Sequence, residues 1–285
     1  MNLNSYLKEA KEKKQAIGHF NFATEDVAKA VVEASKEAGA TCVMLGTSEG
    51  EAEFLGMPEA VGIVGGLRKD FDFPVFLNAD HFKSFEKCKA AIDAGYDSIL
   101  IDSSKLSFQE NAELTKRVVD YARSKNPNIS IEGELGYLRG SSEVQKKIEI
   151  SSQDYTKPEE AVNFVATTGV DRLAVVFGNI HGIVTDQVEK LDINHFAKIV
   201  SQLPEMFFVL HGASGLDDKD IGLAIETGIV NVHFNTELRV AYQEALKESL
   251  ENSPQETTPY KYLASSVGEI KKLVIAKNKI FLGAL

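Results

Sequence analysis

FPVFLNADHFKS, residues 73–84, begins as a buried strand and stops on two polar neighbours. Its opening FPVFL is apolar without alternation, the pattern of a strand covered on both faces in a parallel sheet. Asp80 and His81 then stand side by side where the strand ends. Two uses fit such a pair: a cap for the helix that follows, or a site built on the strand's end.

The same rhythm recurs along the chain. Short apolar runs stand at AIGHFNF (16–22), TCVMLGT (41–47), SILIDSS (98–104), ISIEGELG (129–136), RLAVVFGN (172–179), FFVLHGA (207–213) and VNVHFNT (230–236). Amphipathic stretches such as EDVAKAVVEASKEAGA (25–40) and SFQENAELTKRVVDYARS (107–124) separate them, several opening on Ser, Thr or Asp and closing on Gly. Eight strand–helix units in about 250 residues predict an α/β fold, a (β/α)8 TIM barrel forming a single domain over residues 1–285. The alternative, a doubly wound open sheet, lacks a Gly-x-Gly-x-x-Gly after its first strand.

Composition agrees. With 44% hydrophobic and 26% charged residues the chain is an ordinary globular protein. A net charge of −11 speaks against nucleic acid as a partner. No apolar run approaches the ~18 residues that span a bilayer, so no membrane partner is expected. The charged, helical start MNLNSYLKEAKEKK has no apolar signal segment. Cys42 and Cys88 lie in apolar contexts without paired spacing, which predicts buried thiols in a reducing cytoplasm.

Two segments break the rhythm. YLRGSSEVQKKIEISSQDYT (137–156) has no core pattern and reads as a mobile active-site loop, about 137–157. TELRVAYQEALKESLE (236–251) and GEIKKLVIAKNKIF (268–281) add helices over about 236–285, for oligomer contacts or packing across the barrel bottom.

In such barrels chemistry sits at the C-terminal ends of the strands. Those ends carry Asn21, then Ser48, Asp80 with His81, Asp102, Glu134, His181, His211, and Asn235 with Thr236. Three histidines ending three strands, beside carboxylates, suit a divalent metal, zinc above all. His195 reads as a boundary residue and His19, in mid-strand, as a satisfied core histidine. HGASG (211–215) and HFNTE (233–237) follow the last two strands, where phosphate sites recur, and offer Gly212, Ser214 and Thr236; tight turns with caps are the plainer account.

Taken together, the blocks GHFNFATED (18–26), AIDAGYDSILIDSS (91–104), EGELG (132–136), DYTKPEEAVNFVATTGVDRLAVVFGNIHG (154–182) and VLHGASGLDD (209–218) resemble the class II, metal-dependent ketose-bisphosphate aldolases, from Gly18 to the chain's end. The resemblance implies zinc (Zn2+) on His81, His181 and His211, with Glu134 and Asp102 close by, polarising a ketose carbonyl and stabilising an enediolate. It implies Asp80 as the group that exchanges the C4 hydroxyl proton. It further implies Asn21, Ser48, Gly182, Gly212, Ser214, His233, Asn235 and Thr236 around the sugar phosphate. A glycolytic carbon–carbon lyase follows, a homodimer or homotetramer acting on fructose 1,6-bisphosphate, with Na+ or K+ as an accessory ion. Tagatose bisphosphate, another ketose or sugar-acid phosphate, and a non-catalytic sugar-phosphate-binding barrel are the alternatives. A Schiff-base aldolase would need a strand-end lysine, and Lys83 alone comes near.

Three departures from that family's pattern stand out. In LRGSSE the usual loop glutamate falls on Ser142, so Glu143 takes its role only by moving one place. Thr185 stands where a phosphate-binding lysine is common, and His233-Phe234-Asn235-Thr236 replaces Asn-x-Asp-Thr.

Overall fold

The structure, a computed structural model, describes residues 2–284. The strands are β1 (Ile17–Asn21), β2 (Val43–Thr47), β3 (Val75–Phe82), β4 (Ser98–Ile101), β5 (Ser130–Leu135), β6 (Gly140–Gln145), β7 (Arg172–Val175), β8 (His181–Val184), β9 (Phe207–Leu210) and β10 (Ile229–Phe234). The helices are α1 (Leu3–Glu12), α2 (Glu25–Glu37), α3 (Glu49–Leu55), α4 (Met57–Phe71), α5 (Phe85–Ala94), α6 (Phe108–Lys125), α7 (Pro158–Thr168), α8 (Ile193–Gln202), α9 (Asp218–Thr227), α10 (Thr236–Asn252), α11 (Pro259–Tyr262) and α12 (Ala264–Phe281).

Eight strands close a parallel barrel in the order β1-β10-β9-β7-β5-β4-β3-β2. Each is one of the eight apolar runs, and helices cover the outer faces as a (β/α)8 barrel requires. The strand that raised the first question settles half of it. Helix α5 is capped by Ser84, whose side chain accepts from Lys87 N at 3.2 Å, and it ends on Gly95 at φ 105°. Asp80 and His81 therefore have no capping duty.

Inside the barrel, below the strand ends, lies a buried polar layer. Arg172 is fully buried, its Nη1 2.5 Å from Glu132 Oε2 and donating to Asn231 Oδ1 at 2.8 Å. Removing one partner of such a pair costs roughly 3–5 kcal/mol, because the other charge stays buried. Beneath that layer, Leu3, Leu7 and Ala10 of α1 pack on Ile17, Met44, Phe76 and Val230 and close the N-terminal end. Helix α12 packs on α2 and α10, and its Phe281 carbonyl accepts from Ala16 N ahead of β1. It thus lies along the barrel wall. Cys42 and Cys88 are buried free thiols, and among the described residues no helix is long and apolar enough to cross a membrane.

The segment after β5 contains regular structure that its sequence pattern does not show. Its β6 pairs in parallel with β8, and Arg139 forms an ion pair with Asp154 in a short 3-10 turn. Most of β6 is exposed, so its side chains carry no apolar period from which a strand could be read.

Candidate active site

Neighbouring side chains on a strand point to opposite faces, so Asp80 and His81 should not share a pocket. They do because the strand breaks its own rule. His81 has φ 103°, a left-handed value rare for a side-chain-bearing residue, and the β3–β4 register slips between Ala79 and Phe82. Backbone held this way clusters at functional sites.

His81 is the hub. Its Nδ1 lies 3.2 Å from Asp102 Oδ2 and 3.4 Å from Glu134 Oε2, while Nε2 lies 3.1 Å from His211 Nδ1. The His181 ring stands edge-on, 5.1 Å between centroids. Burial opposes charge on His81, but Asp80, Asp102 and Glu134 lift its pKa to about 10. Burial, then His81 and His211, push His181 down to about 3. Burial and the nearby Asp102 raise the Glu134 carboxyl well above its ordinary range. A second carboxylate, Glu132, fixes His211: its Oε1 lies 2.7 Å from Nε2, so that nitrogen carries the hydrogen and Nδ1 is left bare toward His81.

This donor set fits a divalent metal. The His81 and His211 nitrogens converge with Asp80; Asp102 and Glu134 add carboxylates, the His181 ring stands alongside, and the buried Glu134 Oε2 has no hydrogen-bond partner. Asp80 is held beside it, with Asn21 Nδ2 donating to Oδ2 at 3.0 Å and His233 Nδ1 3.1 Å from Oδ1. Burial works against its charge, yet His81, His233 and His19 keep it well below the usual carboxylate range.

A cavity of about 810 Å³ opens over these groups. The candidate ligands, Asp80 and the substrate-contact residues that the resemblance implies all line it; Glu143 does not, being exposed and accepting from Ser141 Oγ at 3.3 Å. Ser142 faces the cavity instead: its Oγ lies 3.0 Å from Thr236 Oγ1, and Arg239 donates to its carbonyl. Thr185 lies outside as well, its hydroxyl donating to Asp186 at 2.8 Å. Gly212, which lines the cavity, has φ 68°, and a Cβ there would overlap the Ile180 carbonyl, so only glycine lets the backbone pass this close to Ile180. Ser214 Oγ accepts from Glu237 N at 3.3 Å and helps cap α10 while the residue lines the cavity.

Three participants escaped the sequence reading. Glu132 was findable two places before Glu134, on the same strand face. Glu51, whose Oε2 accepts from Asn21 at 2.8 Å, forms a capping box with Ser48, and burial raises its pKa. Arg239 lies one turn beyond Thr236 and lines the cavity mouth. His19 is buried as expected but not satisfied, since its Nδ1 has no partner.

Known proteins share this arrangement's framework. Residues 1–284 match the family "Fructose-bisphosphate aldolase class-II". The chain is 37% identical over 286 residues to a fructose-bisphosphate aldolase of Staphylococcus epidermidis, covering 99% of this chain and 96% of the relative. It is 35% identical over 284 residues to that of Geobacillus stearothermophilus, at the same coverage. Among solved structures, the YdjI aldolase of Escherichia coli K12 superposes with a TM-score of 0.83 at 28% identity, over 98% of this chain and 96% of that one. A chain matched end to end in sequence, and nearly so in structure, by these proteins belongs to the class-II fructose-bisphosphate aldolase family.

Proposed function

We propose that the protein catalyses the reversible retro-aldol cleavage of a ketose bisphosphate, fructose 1,6-bisphosphate first, to dihydroxyacetone phosphate and an aldehyde phosphate. The observation that carries this is the pairing at the end of β3, where a clamped carboxylate, Asp80, adjoins a histidine that faces the other candidate ligands. Zinc held by His81, His181 and His211, with Glu134 and Asp102 beside them, would supply a Lewis acid for the ketose carbonyl.

The rest falls to the chain's own groups. Asp80 accepts the proton of the C4 hydroxyl; the C3–C4 bond breaks, C4 leaves as an aldehyde, and the electron pair remains on the three-carbon fragment. A proton then returns to C3. Glu143 can deliver it only after β6 shifts, because Ser142 occupies the inward position. Backbone N–H groups around Gly212 and the N-terminus of α10 suit one phosphate, and Arg239 at the mouth suits the other. His233, an imidazole where the family pattern has an amide, keeps tagatose bisphosphate and related ketose phosphates as second substrates to try. A cytoplasmic homodimer or homotetramer is the expected setting.

The test is cleavage of fructose 1,6-bisphosphate, followed by triose phosphate release, before chelation, after it, and with zinc restored. Loss and recovery of turnover support the proposal. Metal-loaded protein that cleaves none of these ketose phosphates overturns it.

A further inference from the structure

Under Asp80 the barrel holds a second pair of histidines that the mechanism above leaves unused. His233 on β10 and His19 on β1 stack face to face, 3.6 Å between centroids and 9° from parallel. His19 is fixed from two sides. Asn78 donates to its Nε2 at 3.1 Å, because Asn78 Oδ1 already accepts from Ser98 Oγ at 2.7 Å. Its ring also covers Gly46 on β2, where any Cβ would overlap it. His233 Nε2 lies 3.0 Å from Asn231 Oδ1, and Asn231 is held by Arg172 and by Ile17 O. Burial disfavours charge on the ring, so its single hydrogen sits on Nδ1 and is donated to Asp80, and the Nε2 side is a packing contact. A continuous chain of contacts thus runs from the buried ion pair Glu132–Arg172 through Asn231 and His233 to Asp80.

His19, Asp80 and His233 lie close enough together to suggest a second ion site. The stacking argues otherwise. Imidazole lone pairs lie in the ring plane, and two parallel planes this far apart do not converge on one ion about 2.0–2.1 Å from each nitrogen. What the stack does provide is stiffness. Asn21 and His233, from neighbouring strands, grip one Asp80 oxygen each and leave its carboxylate a single orientation.

We propose that His233, braced by His19, is a positioning residue for Asp80: it aims the carboxylate at the C4 oxygen and acts through Asp80 rather than on the substrate. This rests on Asp80 being the group that takes the C4 proton. Positioning of this kind shows in the chemical step and leaves substrate binding alone.

Two reactions of the zinc-loaded protein separate the possibilities. Cleavage of fructose 1,6-bisphosphate needs the C4 proton transfer; exchange of a hydroxymethyl hydrogen of dihydroxyacetone phosphate, on the carbon that is C3 of the hexose, with deuterated water does not. His233→Phe, which keeps a ring in the stack and removes Nδ1, is expected to lower kcat for cleavage about 10- to 100-fold. KM, C3 exchange and zinc content are expected to stay within about twofold of wild type. His233→Asn, whose amide nitrogen can stand in the place of Nδ1, is expected to restore kcat to within about fivefold. The double variant with Asp80→Asn is expected to cleave no more slowly than Asp80→Asn alone. Should His233→Phe not fold, His19→Leu loosens the brace and carries the same comparison, with a fall in cleavage alone. Undiminished cleavage in His233→Phe, or cleavage and exchange falling together, overturns the proposal. If Asp80→Asn itself still cleaves, the assignment of Asp80 fails; if Asp80→Asn is inactive while His233→Phe is unaffected, only the role of His233 fails.

Discussion

His211 Nε2 lies 2.7 Å from Glu132 Oε1, and the other oxygen of that carboxylate lies 2.5 Å from Arg172 Nη1. One buried carboxylate therefore orients a candidate metal ligand and neutralises the one arginine that is fully buried among the described residues. Glu132→Gln should weaken zinc affinity about 10- to 100-fold. It should also cost roughly 3–5 kcal/mol of stability, since Arg172 keeps its charge. Competitive chelation and denaturant titration read the two effects separately, and unchanged zinc affinity would refute the orienting role.

Glu189 gives a pH signature away from the site. Both of its oxygens are buried without partners, and burial pushes its carboxyl up to about 8. The folded pKa is thus above the unfolded one. Below about pH 4 both states are protonated; between roughly pH 4 and 8 the unfolded state alone gives up the proton, so stability falls as pH rises and levels off above 8. Glu189→Gln should match wild type near pH 4 and exceed it at pH 8.5, measured as urea midpoints. Parallel curves for the two proteins would rule the effect out.

Arg239→Met should separate the two phosphates. With a charge-assisted bond lost, KM for fructose 1,6-bisphosphate should rise about 10- to 100-fold. Cleavage of fructose 1-phosphate, which has nothing for Arg239 to hold, should be unaffected. Equal losses on both substrates would place Arg239 elsewhere in the mechanism.

Gly212→Ala probes the anion-facing backbone. A residue with a Cβ at φ 68° costs about 1–3 kcal/mol, and this one must also displace the Ile180 carbonyl. The variant should fold with a lowered Tm and a raised KM for phosphorylated substrate. Unchanged inhibition by inorganic phosphate would show that the backbone here does not hold the anion.

The barrel was legible because each of its strands is a short apolar run between capped helices, a pattern that local chemistry writes directly into the chain. The strand-end rule places His81 and His211, which stand together at the ends of β3 and β9, but not His181, which opens β8 outside the barrel rather than ending a barrel strand. Two further kinds of fact were not legible. The left-handed backbone at His81 leaves no trace in residue type, because histidine rarely adopts it. The roles of Glu132, His19 and Arg172 depend on side chains from different strands meeting inside the barrel, and period-2 patterns give a face without naming the partner. Ser142, chosen as the loop glutamate's missing place, is the residue that faces inward, while Glu143 stays outside.

The pairing of β6 with β8 reaches further than the loop. His181 N donates to the Arg139 carbonyl at 2.8 Å, and the His181 carbonyl accepts from Gln145 Nε2 at 2.9 Å, so both peptide groups of a candidate ligand are tied to the segment above the cavity. Cover and cradle are one mechanical part. A protease nick in that segment, or a binder that peels it back, would therefore be felt as a loss of grip on the ion while the barrel beneath still stood.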